Sequence, residues 1–180
     1  SGHAVLYRPP ESFDSAKYDR RGDLYQCGIV LYQVLGGRLS YDYATYLSLS
    51  SKLAYASAAN DFERCKIVDA AIADRARCGR LLDMASLPFF VPPRVRRIVD
   101  KATDPDPGRR YQEASDMLSA LHSCIDEVLD WRYDHGAPVV VHGDDKLRVA
   151  GFGSSRFVEL NRGRGWRRLQ NSRRTRVFKA

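Results

Sequence analysis

At 180 residues the chain is long enough for one ordinary domain with an appendage, and it can bury about 70% of its unfolded surface without covalent staples. Its 44% hydrophobic and 28% charged residues are ordinary globular composition, which excludes disorder over most of the length, and no apolar run approaches the roughly 20 residues of a membrane-spanning helix. The formal charge of +7 is unevenly placed: residues 1–130 hold 17 Lys/Arg against 18 Asp/Glu, and residues 131–180 hold 12 against 4. This asymmetry divides the chain into a near-neutral domain, residues 1–131, and a basic C-terminal module, residues 132–180. The start at Ser1-Gly2-His3, with neither Met nor leader, reads as a processed or truncated product.

Tyr7 to Asp14 reads as an extended entry and a short helix, because Pro9 and Pro10 suit a helix start. Asp23 is placed as the N-cap of a helix over Leu24–Leu35, in which nine of twelve residues are hydrophobic and which Gly36-Gly37 stop. Its apolar residues go all the way round, so it is expected to be the buried spine of its domain. Helical sequence resumes through Leu47, Leu49, Leu53 and Ala58, and another helix is predicted from Asp61 to Arg77. Leu87 to Pro93 is a proline-bounded connector, Val95 to Ala102 a short helix, and Asp104-Pro105-Asp106-Pro107-Gly108 a turn. Ala114, Met117, Leu118, Leu121, Ile125, Val128 and Leu129 predict a long amphipathic helix ending near Trp131. Beyond it the period shortens. Val139–Val141, Leu147–Phe152, Arg156–Leu160 and Trp166–Leu169, separated by Gly/Asp/Ser-rich links, predict a small antiparallel meander. The fold class is therefore mainly α, followed by a small antiparallel β meander.

Cys27, Cys65, Cys78 and Cys124 form no C-x-x-C pair and have no His at ligand spacing, so a zinc site is not expected. They read as small buried hydrophobes of a reduced, cytoplasmic chain. His122 reads as a solvated residue of the last helix, and His135 and His142 flank a strand without a carboxylate cluster.

Tyr7-Arg8-Pro9-Pro10-Glu11, then Asp23-x-x-x-x-Gly28 running into Ile29–Gly37, then Asp104-Pro105 leading to Arg110-Tyr111-Gln112-Glu113-Ala114, occur in this order. Together they resemble the second half of the C-lobe of a eukaryotic-type, bacterial-style serine/threonine protein kinase over about residues 1–130. The first motif resembles the one that closes the activation segment, the second the central F helix, the third the loop before the final helix. The resemblance implies orthogonal helices and a buried ion pair between Glu11 and Arg110, with Arg109 the competing register and two surface charges the alternative. It implies that Asp23 caps the F helix or accepts backbone N–H bonds from a catalytic loop, and that Gly28 is a structural position of that helix. Leu6 and Tyr7 would shape a peptide-docking pocket or simply pack locally. The stretch Tyr43–Leu87 is longer than the G-helix region of a minimal kinase and implies an insertion.

Phosphoryl transfer needs a glycine-rich loop, a strand Lys paired with a helix Glu, a catalytic Asp and magnesium ligands. None of these motifs occurs here; Gly151-Phe152-Gly153 and Gly163-Arg164-Gly165 lie between strands, not before helices. No cofactor is therefore expected in this chain, with ATP and magnesium implied for a full-length parent, and no catalytic residue is assigned. His3-Ala4-Val5-Leu6 lacks the Thr that serine/threonine kinases carry there, which leaves a pseudokinase open. Expected partners are a protein substrate or the missing kinase portion, self-association through exposed apolar surface, and weak polyanion or nucleic-acid binding. Arg162, Arg164, Arg167, Arg168, Arg173 and Arg174 would supply the last of these. The competing reading is a kinase-derived, non-catalytic interaction protein whose basic module binds an acidic partner or nucleic acid.

Overall fold

The computed structural model describes residues 2–14, 19–135, 137–151 and 157–169. It consists of two compact units, residues 1–124 and 125–180. The first is helical: α1 (Arg20–Val34), α2 (Leu49–Ser57), α3 (Asp61–Arg77), α4 (Pro93–Ala102) and α5 (Ala114–His122). Short 3-10 helices at Gly2–Tyr7 and Pro10–Phe13 precede them. The second is a five-stranded antiparallel sheet: β1 (Asp130–Asp134), β2 (Ala137–His142), β3 (Asp145–Ala150), β4 (Phe157–Asn161) and β5 (Trp166–Arg168), in sequence order. The chain is thus mainly α with a small β meander. None of the described helices is long and apolar enough to cross a membrane.

α1 begins earlier than its hydrophobic run suggests. Asp19, not Asp23, is its N-cap and accepts the Arg21 N–H at 2.9 Å; Asp23 sits exposed in the first turn, where its charge complements the helix dipole. The far end is a Schellman motif. Gly36 has φ +91°, its N–H donates to Gln33 O at 2.9 Å, and the Gly37 N–H donates to Tyr32 O at 2.9 Å. Nor is α1 buried all round. Tyr25, Ile29 and Tyr32 enter one apolar cluster with Leu6, Ile72 and Val99, while Leu24 enters another with Val95, Ala102 and Met117. Asp23, Cys27, Val30 and Val34, at helical spacing, remain exposed, Val34 at 78%. Cys27 is therefore a surface thiol, as are Cys65 and Cys78; Cys124 alone is buried.

α1 and α4 approach closely at Gly28, where an added Cβ would stand 2.8 Å from Ala102 Cβ and 2.7 Å from Thr103 Cγ2. The connector before α4 is held by Arg96, which donates to the carbonyls of Val91, Met84, Leu87 and Pro88 at 2.6–3.2 Å.

α5 stops at His122, far short of the expected end near Trp131. Ile125 and Val128 keep the helical spacing but are 59% and 43% exposed. Burying no face there leaves nothing to offset the entropy of prolonging the helix. Trp131 instead pairs with Val140 in the ladder between β1 and β2, a strand not expected from the sequence. In the sheet, Val139 and Val140 are buried on opposite faces of β2.

Candidate functional site

Arg110 is the centre of the first unit's polar structure. Its side chain is fully buried, and all five of its N–H donors are satisfied. Nη1 and Nη2 donate to Glu11 Oε1 and Oε2, both at 2.8 Å; Nε donates to Asp104 O at 2.7 Å; Arg21 O and Pro105 O accept the remaining two at 3.1 and 3.2 Å. The guanidinium also lies 4.8 Å from the Tyr25 ring centroid. Burial pushes the Tyr25 phenol well above its ordinary pKa, with the Arg110 charge opposing. The structure thus joins two residues 99 positions apart in sequence, and fastens the Pro9–Phe13 segment, the start of α1 and the turn at Asp104-Pro105 to one charge. Arg109 is solvent-exposed and only 3.6 Å from Asp106, so it is not the anchor. Arg20 adds a second tie from the start of α1, pairing with Glu113 and donating to Gln112 O at 2.9 Å.

Leu6 and Tyr7 part company. Leu6 is fully buried in the cluster around Tyr25 and Ile29, so it offers no surface to a peptide; its role is core packing. Tyr7 reaches outward. Its hydroxyl donates to Gln33 Oε1 at 2.8 Å and lies 2.9 Å from the Tyr41 hydroxyl, which accepts from Gln33 Nε2 at 3.0 Å. The shared hydrogen bond holds the Tyr7 pKa up and the Tyr41 pKa down.

In the sheet, the register puts Arg148, Glu159 and Arg168 in one row across β3, β4 and β5. Arg148 donates to Glu159 at 2.7 Å and lies 4.2 Å from the Trp166 ring centroid; Arg168 lies 4.3 Å from that of Phe157. Arg162 is bonded to Asp145 at 3.0 Å. Of the described polyanion candidates, Arg164 and Arg167 are exposed and have no ion-pair partner among the described residues. Arg173 and Arg174 lie outside the described residues.

Among the described residues no three His, Cys, Asp or Glu side chains converge to hold a metal.

The Arg96 staple carried no sequence signal beyond the prolines around it. Nor did the exposure of Cys27, Val30 and Val34 on α1, which differ little in type from the buried residues beside them.

The chain is similar to the serine/threonine-protein kinase PrkC of Bacillus subtilis (strain 168), with 28% identity over 123 residues, 68% of this chain. It spans about 15% of the length of that relative. No protein-family model matches the chain, and no solved structure gives a significant match. The similarity supports a relationship to serine/threonine protein kinases.

Proposed function

We propose that residues 1–124 are the activation-segment-anchoring and peptide-presenting part of a kinase C-lobe, and that nucleotide and catalytic groups come from sequence outside these residues. The observation that carries this reading is the buried Glu11–Arg110 pair, which ties a Pro-Pro-Glu segment to the loop before the last helix with every guanidinium donor satisfied. A fully satisfied buried charge spanning 99 residues is costly to assemble by accident. The exposed Asp23, Cys27, Val30 and Val34 stripe on α1 is the surface such upstream sequence would cover. In this reading the chain positions a protein substrate, while magnesium and ATP, bound elsewhere in a parent, would supply the phosphoryl group. The test is phosphotransfer. Labelled ATP, magnesium and a generic protein substrate should give no transfer with this chain and robust transfer with the parent. A parent lacking activity would sink the kinase reading.

A second reading, a non-catalytic interaction protein, draws on the free arginines Arg164 and Arg167 of the sheet. They would dock an acidic protein or polyanion through charge alone.

A further inference from the structure

A cavity of about 590 Å³ lies in the first unit beside Tyr41, outside the contacts described so far. Its volume is within the roughly 300–1,000 Å³ range of ligand pockets. One wall is a single face of α3, because Asp61, Arg64, Cys65, Val68 and Asp69 recur at spacings of three and four. α2 contributes Lys52 and Tyr55, the preceding loop contributes Asp42 and Tyr43, and the buried Val5 and Leu47 supply apolar surface.

The charges say what it would hold. Arg64 is occupied: it bonds Asp61 at 3.0 Å and lies 5.9 Å from the Tyr55 ring centroid. Asp42 spends one oxygen on the Ala44 N–H at 3.0 Å, and neither Asp42 nor Asp69 has a cationic partner among the described residues. Among the described residues, two carboxylates without a cationic partner then line the cavity with one uncommitted cation, Lys52.

We propose that this cavity docks a peptide segment of a protein substrate, seating a bulky apolar side chain against Val5, Leu47 and Val68 with a flanking lysine or arginine at Asp42 and Asp69. The proposal rests on reading the unit as the peptide-presenting part of a kinase, and its test does not depend on phosphotransfer. Cys65 lines the cavity and is exposed, while Cys27 and Cys78 are exposed elsewhere and serve as internal controls.

The experiment alkylates the full 180-residue chain with iodoacetamide and follows each cysteine by mass spectrometry. The probes are the acetylated hexapeptides Gly-Lys-Leu-Phe-Arg-Gly and Gly-Glu-Leu-Phe-Glu-Gly. At about 1 mM, the basic peptide should slow Cys65 roughly threefold if it binds with the sub-millimolar affinity of weak docking. Cys27 and Cys78 should be unaffected, the acidic peptide should have no effect, and Asp69→Lys should abolish the protection. Absence of protection, equal protection by the acidic peptide, equal slowing at all three cysteines, or protection surviving in Asp69→Lys would each overturn the proposal. A parent without kinase activity, by contrast, would leave these rates unchanged.

Discussion

Replacing Glu11 by Ala isolates the energetic role of the buried pair. The substitution leaves the Arg110 guanidinium with three carbonyl acceptors, Arg21, Asp104 and Pro105, and no counter-charge. Breaking a fully buried pair from one side costs about 3–5 kcal/mol. The Glu11 side chain is 24% exposed, so water can partly enter the vacated space, and the expected loss is at the lower end, about 3 kcal/mol. With a urea m-value of about 1.5 kcal/mol/M, the unfolding midpoint should fall by about 2 M. Far-ultraviolet circular dichroism is the appropriate probe, because α1–α5 all lie in the first unit while both tryptophans, Trp131 and Trp166, lie in the second. Arg109→Ala is the control: that side chain is 76% exposed, and losing an exposed pair should cost less than about 1 kcal/mol. A shift below about 0.5 M for Glu11→Ala, or one no larger than that of Arg109→Ala, would refute the argument.

Gly28→Ala should destabilise the first unit by about 1 kcal/mol although Ala is the better helix former: crowding against Ala102 and Thr103 costs about 1–3 kcal/mol against a gain of about 1. Equilibrium unfolding checks the sign, and a stabilised variant would contradict the close α1–α4 approach. Asp19 should titrate at about 2, because its side-chain hydrogen bond with Arg21 favours the carboxylate. Since that pKa is depressed on folding, its contribution is fully present above about pH 4 and is lost as the pH falls through about 2. Carbon-detected titration should show the midpoint rising in Arg21→Ala. For the sheet, replacing both Arg164 and Arg167 with Gln should reduce the salt slope of heparin or duplex DNA binding by about 1.8, at about 0.9 per phosphate contact. An unchanged slope would mean that these two side chains touch no phosphate.

Local chemistry was enough to bound several elements. Gly36-Gly37 end α1 because the helix exit requires a positive φ that glycine adopts freely. The apolar spacing places α3 over Asp61–Arg77, its predicted range, whereas α4 starts at Pro93, two residues before the expected Val95, because the first turn leaves unused the N–H that proline lacks. The period-2 segments announced strands β2 to β5, with ends shifted by one or two residues. The kinase resemblance carried by the three motifs also implied Glu11 and Arg110 as partners.

Other outcomes depend on which surfaces meet, a property no single stretch of sequence contains. Arg109 and Arg110 are chemically alike, and only burial between the Pro9–Phe13 segment and α1 distinguishes the anchor from its exposed neighbour. Leu6 is drawn wholly into the core by Tyr25 and Ile29, whereas Cys27, in an equally apolar stretch, is left exposed on α1 with Val30 and Val34. The helical spacing through Ile125 and Val128 yields only a short 3-10 turn at Ile125–Glu127, with both side chains exposed, while Trp131 to Asp134 find a ladder on β2. The same dependence produces the cavity between α2 and α3. Its tyrosines and carboxylates are scattered from Tyr41 to Asp69 along the chain, and only the packing of two helices against a loop buries the Tyr43 hydroxyl with no partner among the described residues.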